Sequence, residues 1–284
     1  MNFLDGYLTI QGNYRKSNQD SIFLMKAAYG GEEILFAGVC DGMGGYEAGE
    51  VASSFCARQM NEWFRGSLPK LFHRTDNWEQ EICREWAALI RSVNHELVRY
   101  GGQKGIQLGT TLTGFLIAGG EYLAVNVGDS RGYMFGKKIM QITKDQSLVA
   151  EKVRCGLITE EEAKISGERN VLLQSVGIDE EIKPEYYGGK VLPGVGFLIC
   201  SDGFWHNVSG EEIISELTEQ AAGEEGGLSL RLMALAEQAM ERGEKDNISA
   251  VCVRVTDDAP RPAVRNDDYV IVQEVLAPAG DSHE

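Results

Sequence analysis

The chain has 284 residues, 43% hydrophobic and 25% charged, which is the make-up of a soluble globular protein with room for one large domain or two modest ones. Its formal net charge of −16 disfavours nucleic acid and anionic membrane as partners, because both are held by basic patches. Phosphate stays open as a ligand, since bound cations can reverse a local field.

Six cysteines, at 40, 56, 83, 155, 200 and 252, show no close metal-type spacing. Cys40, Cys200 and Cys252 fall inside apolar runs, where a reduced cysteine packs as a small hydrophobe, so a reducing compartment fits better than a disulfide framework. The first ten residues lack the basic start and long apolar stretch of a signal peptide, and no run approaches the ~18 apolar residues of a membrane span. The expectation is a cytoplasmic protein.

Taken in order, residues 7–11, 21–25 and 34–40 read as strands. A helix over about 48–64 carries Val51, Ala52, Phe55, Cys56, Met60, Trp63 and Phe64 on one broad face. A second helix over about 77–100 has Ile82, Trp86, Leu89, Ile90, Val93 and Leu97 at helical spacing. Thr75 or Asp76 would cap its start and Gly101-Gly102 would stop it. Strand patterns return at 111–118, 122–127, 132–135 and 138–142. Residues 145–170 are polar, with short helical pieces and a capping box from Thr159 to Glu162. Strands follow near 183–191 and 196–200. A second capping box, Ser209 with Glu212, opens a helix to about 219. A Gly/Glu-rich loop over 221–227, a helix over 228–241 and a strand over 248–255 complete the compact part.

Over residues 256–268 the chain turns polar and holds two of its six prolines, as a linker does. The apolar patch at 269–276 would either add a strand to a sheet edge or belong to a mostly disordered tail, the second being favoured. The expected domains are 1–256, compact, and 257–284, linker and tail. Strands and helices do not alternate as βαβ, which indicates an α+β fold with antiparallel sheets and helices on their outer faces.

Five aspartates abut the apolar runs. Asp20 precedes one, Asp41 and Asp129 follow two others, Asp202 follows Gly-Phe-Leu-Ile-Cys-Ser, and Asp246 precedes Asn-Ile-Ser-Ala-Val-Cys-Val. Each alone would be read as a turn residue, because Asp-Gly between apolar runs is a common hairpin signal. Together they would put carboxylates on one rim of a sheet pair, where they repel unless divalent cations neutralise them. Oxygen-only donors suit Mg2+ or Mn2+, and the four histidines lack zinc-type spacing.

Six motifs stand in order: Arg-Lys-Ser-Asn-Gln-Asp at 15–20, DGMGG at 41–45, GTTLTG at 109–114, GDSRGY at 128–133, SDGFW at 201–205 and DNISAV at 246–251. This series resembles the bacterial form of the metal-dependent type 2C serine/threonine protein phosphatases, over residues 6–255. The resemblance implies an αββα sandwich of two antiparallel sheets. It implies that Asp41 bridges two metal ions, that the Gly42 carbonyl binds the first, and that Asp20, Asp202 and Asp246 complete the second. Asp129 with Asp202 would hold a weaker third ion, Arg15 would grip the substrate phosphate, and about 146–170 would be a flap beside the site.

Phosphoserine and phosphothreonine in proteins would then be hydrolysed by direct attack of a metal-bridging water, opposite a serine/threonine kinase, by a monomer. Met43 stands where many relatives have a histidine proposed as the general acid, and a thioether donates no proton. Gln19 replaces a common glutamate, and 145–147 and 166–170 lack histidines often found there, which bears on the flap. The rival reading is a phosphoprotein-binding module that does not hydrolyse. A nuclease-like two-metal hydrolase is disfavoured by the acidic balance.

Overall fold

The structure is a computed structural model that describes residues 1–45, 48–72, 77–192, 194–218, 227–256 and 269–277. In chain order the strands and helices are β1 (Asn2–Ile10), β2 (Asp20–Tyr29), β3 (Glu32–Gly44), α1 (Ala48–Gly66), α2 (Leu68–Phe72) and α3 (Trp78–Lys104). Next come β4 (Leu108–Thr110), β5 (Leu112–Ala118), β6 (Glu121–Val127), β7 (Arg131–Phe135) and β8 (Ile139–Gln141). The remainder is α4 (Leu148–Arg154), α5 (Glu160–Ile165), β9 (Glu185–Lys190), β10 (Gly196–Cys200), α6 (Asp202–Trp205), α7 (Gly210–Thr218), α8 (Gly227–Glu241), β11 (Ile248–Thr256) and β12 (Val270–Ala277).

Two antiparallel sheets stack face to face. One runs β1-β11-β10-β7-β8, the other β12-β2-β3-β5-β6-β9 with β4 paired to β3. Alternate residues of each strand face opposite sides, so each sheet divides its apolar residues between two layers. Ile22, Leu24, Leu35, Val39 and Phe115 meet Phe197, Ile199, Val251 and Val253 between the sheets. The opposite faces of β2 and β3, through Phe23, Met25 and Phe36, pack on Trp63, Phe64 and Trp86 of α1 and α3. On the other side Leu198, Cys200 and Cys252 pack on Phe204, Leu217, Leu232 and Leu235. Three apolar layers between four layers of secondary structure make the αββα sandwich that the motifs imply.

Both capping boxes form. Thr159 and Glu162 exchange side-chain bonds with each other's backbone N–H, and so do Ser209 and Glu212. The Gly101-Gly102 pair, however, does not end the second long helix: α3 runs through it to Lys104 and closes on Gly105, whose φ of +67° supplies the left-handed cap. Gly101 serves close packing instead, since a Cβ there would lie 2.7 Å from the Ile106 carbonyl oxygen. Thr75 and Asp76, the expected caps, lie outside the described residues, as does most of the 221–227 loop. Three short elements, α2, β4 and α6, have no clear periodicity and were not anticipated.

The C-terminal patch is the main departure. Residues 270–277 form a strand of this chain's own sheet, antiparallel to β2, rather than part of a disordered tail. The Tyr269 ring packs at a tilt against Phe64, centroids 6.0 Å apart, and its hydroxyl donates to the Phe64 carbonyl. Glu274 accepts from Asn61 and pairs with Arg65, and Gln273 donates to Asp5. The reason is non-local: β2 is buried on both faces, and its outer edge would otherwise expose unpaired backbone groups. Residues 257–268 and 278–284 lie outside the described residues.

Candidate metal and phosphate site

Antiparallel pairing gathers the five aspartates. Asp20 opens β2 directly opposite Asp41 near the end of β3, a position that brings cross-strand Cβ atoms within about 5 Å. The end of β6 pairs with the start of β5, which itself lies beside Val39, so Asp129 emerges at the same rim. In the second sheet Cys200 pairs with Ala250, placing Asp202 beyond the end of β10 next to Asp246 before the start of β11.

The electrostatics record that convergence. Asp41 is pushed well above its ordinary value, first by burial and then by the charges of Asp20, Asp202, Asp246 and Asp129. Asp20, 1% exposed, rises to about 7, chiefly because burial penalises its charged form, with Asp246 and Asp202 adding to the rise. Asp129 and Asp202 are raised as well, burial again leading. Among the described residues no three histidine, cysteine or acidic side chains are yet drawn together at ligand spacing. The donor set nonetheless fits a hard divalent cation: it is all oxygen, clustered, and costly to ionise without a counter-charge.

A second ring of residues holds this set. The Asp41 N–H donates to the Thr111 hydroxyl at 2.9 Å, while the Asp41 carbonyl accepts from the Thr111 N–H and the Thr110 hydroxyl. Thr111 in turn shares a 2.7 Å hydrogen bond with Ser130. GTTLTG and GDSRGY therefore meet in space to lock one aspartate. Ser201 donates to the Asp20 carboxylate at 3.0 Å. Asn247 accepts from the Gln19 N–H and donates to the carbonyls of Gln11 and Ser17, tying the 11–19 loop to the start of β11.

Two glycines allow the closest approaches. A Cβ on Gly42 would meet the Gly49 carbonyl oxygen at 2.2 Å and that of Gln19 at 2.4 Å. One on Gly203 would lie 2.1 Å from the Asn247 carbonyl oxygen, so glycine there lets the Asp202 turn rest against the Asp246 loop.

Arg15 reaches the rim from the loop between β1 and β2 and meets Asp246 at 2.5 Å, its side chain half exposed. Burial pulls its pKa down, but the hydrogen bond and charge of Asp246, with Asp41 and Asp202, outweigh this and raise it. A permanently charged guanidinium open on one side can take phosphate oxygens bidentately.

Several residues here carried no assignment from sequence. Arg131 grips Asp145 through Nε and Nη2 and lies 3.3 Å over the Trp205 ring, whose indole N–H donates to the Asp129 carbonyl. This clamp joins the start of the 146–170 segment to the Asp129 loop. His206 lies 4.0 Å from Asp202 and 3.9 Å from Glu244, and Glu244 accepts from Asn207 and the N–H groups of Lys245 and Asp246. The motifs that contain Thr111, Ser130, Arg131 and Trp205 were visible, but only contact distances give these residues roles.

Residues 13–226 match the family described as Protein phosphatase 2C. The chain is 31% identical over 253 residues to the serine/threonine phosphatase stp of Listeria innocua, covering 87% of this chain and 94% of that protein. Among solved structures, the S. agalactiae serine/threonine phosphatase superposes with a TM-score of 0.74 at 28% identity, covering 89% of this chain and 100% of that one. The catalytic domain of the phosphatase PstP, solved with two manganese ions, superposes with a TM-score of 0.72 at 28% identity over 90% and 99% of the two chains. The chain belongs to the protein phosphatase 2C family. It is an enzyme of the bacterial serine/threonine phosphatase type, and divalent-metal dependence comes with the family.

Proposed function

We propose that the rim is a two-cation phosphatase centre, hydrolysing phosphoserine and phosphothreonine in proteins by direct attack of water. The observation that carries this reading is the convergence of Asp20, Asp129, Asp202 and Asp246 on Asp41, with Arg15 beside them. Asp41 and the Gly42 carbonyl would serve the first ion, Asp20, Asp41, Asp202 and Asp246 the second, and Asp129 with Asp202 a weaker third. Mn2+ or Mg2+, when bound, supplies activation of a water at neutral pH and neutralises charge on the phosphoryl oxygens.

The chain's own residues do the positioning. The threonine and serine contacts hold Asp41 and Asp20 in register, so little reorganisation is needed as charge develops. Arg15 would exchange its contact with Asp246 for the substrate phosphate, orienting phosphorus toward the rim. No described helix is long and apolar enough to cross a membrane. We place the enzyme in the cytoplasm as a monomer, acting on phosphoproteins opposite a serine/threonine kinase, with residues 1–256 as the catalytic unit.

The test is phosphate release from a phosphothreonine peptide, with Mn2+ and with chelator, for the natural chain and for Asp202→Asn. Mn2+-dependent release that collapses in the variant supports the proposal. Binding of the phosphopeptide without release by the natural chain would replace it with the recognition-module reading.

A further inference from the structure

Next to the carboxylate rim lies a groove of about 1230 Å3, reaching from Asp129 and Trp205 outward between α4–α5 on one side and the starts of α7 and β11 on the other. Its charge is opposite to that of the molecule. Several ionic groups on its walls are already neutralised within the protein: Arg131 with Asp145, Arg154 with Glu151, and Arg242 with Glu212. Glu244 is satisfied by Asn207 and two backbone N–H groups.

Four cations remain. Lys144, Lys164, Arg169 and Lys245 line the groove with exposed side chains and make no ion pair among the described residues. The Lys245 ammonium lies 6.0 Å from the centre of the Tyr14 ring. Two carboxylates outside the rim cluster, Glu160 and Glu244, face the groove without a lysine or arginine partner among the described residues. In a chain of net charge −16, four uncompensated cations against two carboxylates form a local positive field beside an acidic centre.

Such a field contributes nothing to the fold, because exposed, unpaired cations gain almost no stability. It does act on a substrate. A peptide whose phosphate sits at the rim must lay its neighbouring residues over one of the flanking surfaces, and this groove leads directly away from Asp129. Lys164 and Arg169 stand on the flap wall, Lys245 on the wall beside Asp246.

We propose that this groove selects phosphoprotein segments carrying glutamate or aspartate on one side of the phosphorylated residue, with Lys164, Arg169 and Lys245 receiving those carboxylates. The proposal deepens the phosphatase reading and rests on it. The contacts would be solvent-exposed, so they are worth a few-fold each and weaken with salt. They act on substrate capture, so they belong in KM rather than kcat.

The experiment compares phosphothreonine peptides flanked by glutamate on the N-terminal side, by glutamate on the C-terminal side, by alanine, or by lysine, with Mn2+ present. Para-nitrophenyl phosphate, which has no flanks, is the control. One glutamate-flanked peptide should exceed the alanine peptide in kcat/KM by about tenfold at low salt, mostly through KM, as two or three exposed charge contacts allow. Lys164→Ala with Arg169→Ala should remove most of this advantage, and Lys164→Glu with Arg169→Glu should turn the preference toward lysine flanks, both with para-nitrophenyl phosphate turnover unchanged. Equal kcat/KM for acidic and alanine peptides, or an acidic preference that survives charge reversal, would overturn the groove proposal alone. Failure to turn over para-nitrophenyl phosphate and every peptide would instead overturn the phosphatase reading beneath it.

Discussion

Removing divalent cations should make the fold sensitive to pH in a direction opposite to ordinary acid denaturation. In the metal-free protein Asp20 titrates near 7 rather than at the usual 3.8, mainly because burial disfavours its charge. Between those values the folded chain holds a proton that the unfolded chain has released, so stability falls as pH rises from about 4 to about 7. A rise of that size corresponds to about 4 kcal/mol from Asp20 when fully ionised, an upper bound because local relaxation takes up part of it. In a chain of this size that is roughly 5–10 °C of melting temperature. Asp41, Asp129 and Asp202 shift the same way but are coupled to Asp20, so their contributions do not add independently.

The assay is thermal unfolding by circular dichroism in chelator from about pH 5 to about pH 8, repeated with millimolar Mn2+ and with Asp20→Asn. The metal-free natural chain should lose stability across this range. Mn2+ should restore it most at the alkaline end, where the carboxylates are ionised and binding is linked to folding. Asp20→Asn in chelator should melt above the natural chain near pH 8 and show a shallower slope. A metal-free melting temperature that is flat or rising with pH, or no stabilisation by Mn2+ near pH 8, would refute the clustered-carboxylate account.

Other perturbations isolate single contacts. Arg15→Ala should lower kcat/KM on phosphopeptides by about 10- to 100-fold, with Arg15→Lys recovering only part, because a lysine cannot make the bidentate contact; steady-state kinetics with Mn2+ reads this. Thr111→Val leaves the buried Asp41 N–H and Ser130 hydroxyl without their partner, and should cost about 1–3 kcal/mol in urea unfolding and weaken Mn2+ binding. Tyr269→Ala removes both the ring packing on Phe64 and a hydroxyl bond to its carbonyl, and should cost about 2–3 kcal/mol by the same assay. If that last variant were neutral, β12 would not be holding α1.

Much of the candidate site was legible before any contact was known. Each of the five aspartates adjoins an apolar run, and strand ends can be read from such runs because burial imposes them locally. The ordered motifs identified the family, and apolar spacing identified the long helices by the same local logic. The departures share a physical cause. Gly101-Gly102 looks like a helix stop until Ile106 folds back close enough to require the missing Cβ. The 269–276 patch looks like tail until β2 needs an edge partner and Phe64 a neighbour.

The sequence by itself determined the candidate donors, all carboxylate and carbonyl oxygen, and the grouping of strands and helices into separate runs that makes an α+β sandwich. Only the tertiary structure decided that Asp20 faces Asp41 in register, that Thr111 backed by Ser130 holds Asp41 while Ser201 holds Asp20, and that Arg131 clamps Asp145 over Trp205. It alone also left four cations along one groove without an ion pair among the described residues. Hydrophobic periodicity is written over a few neighbouring residues, whereas pairing register and charge compensation join residues tens to hundreds of positions apart, where spacing along the chain carries no distance.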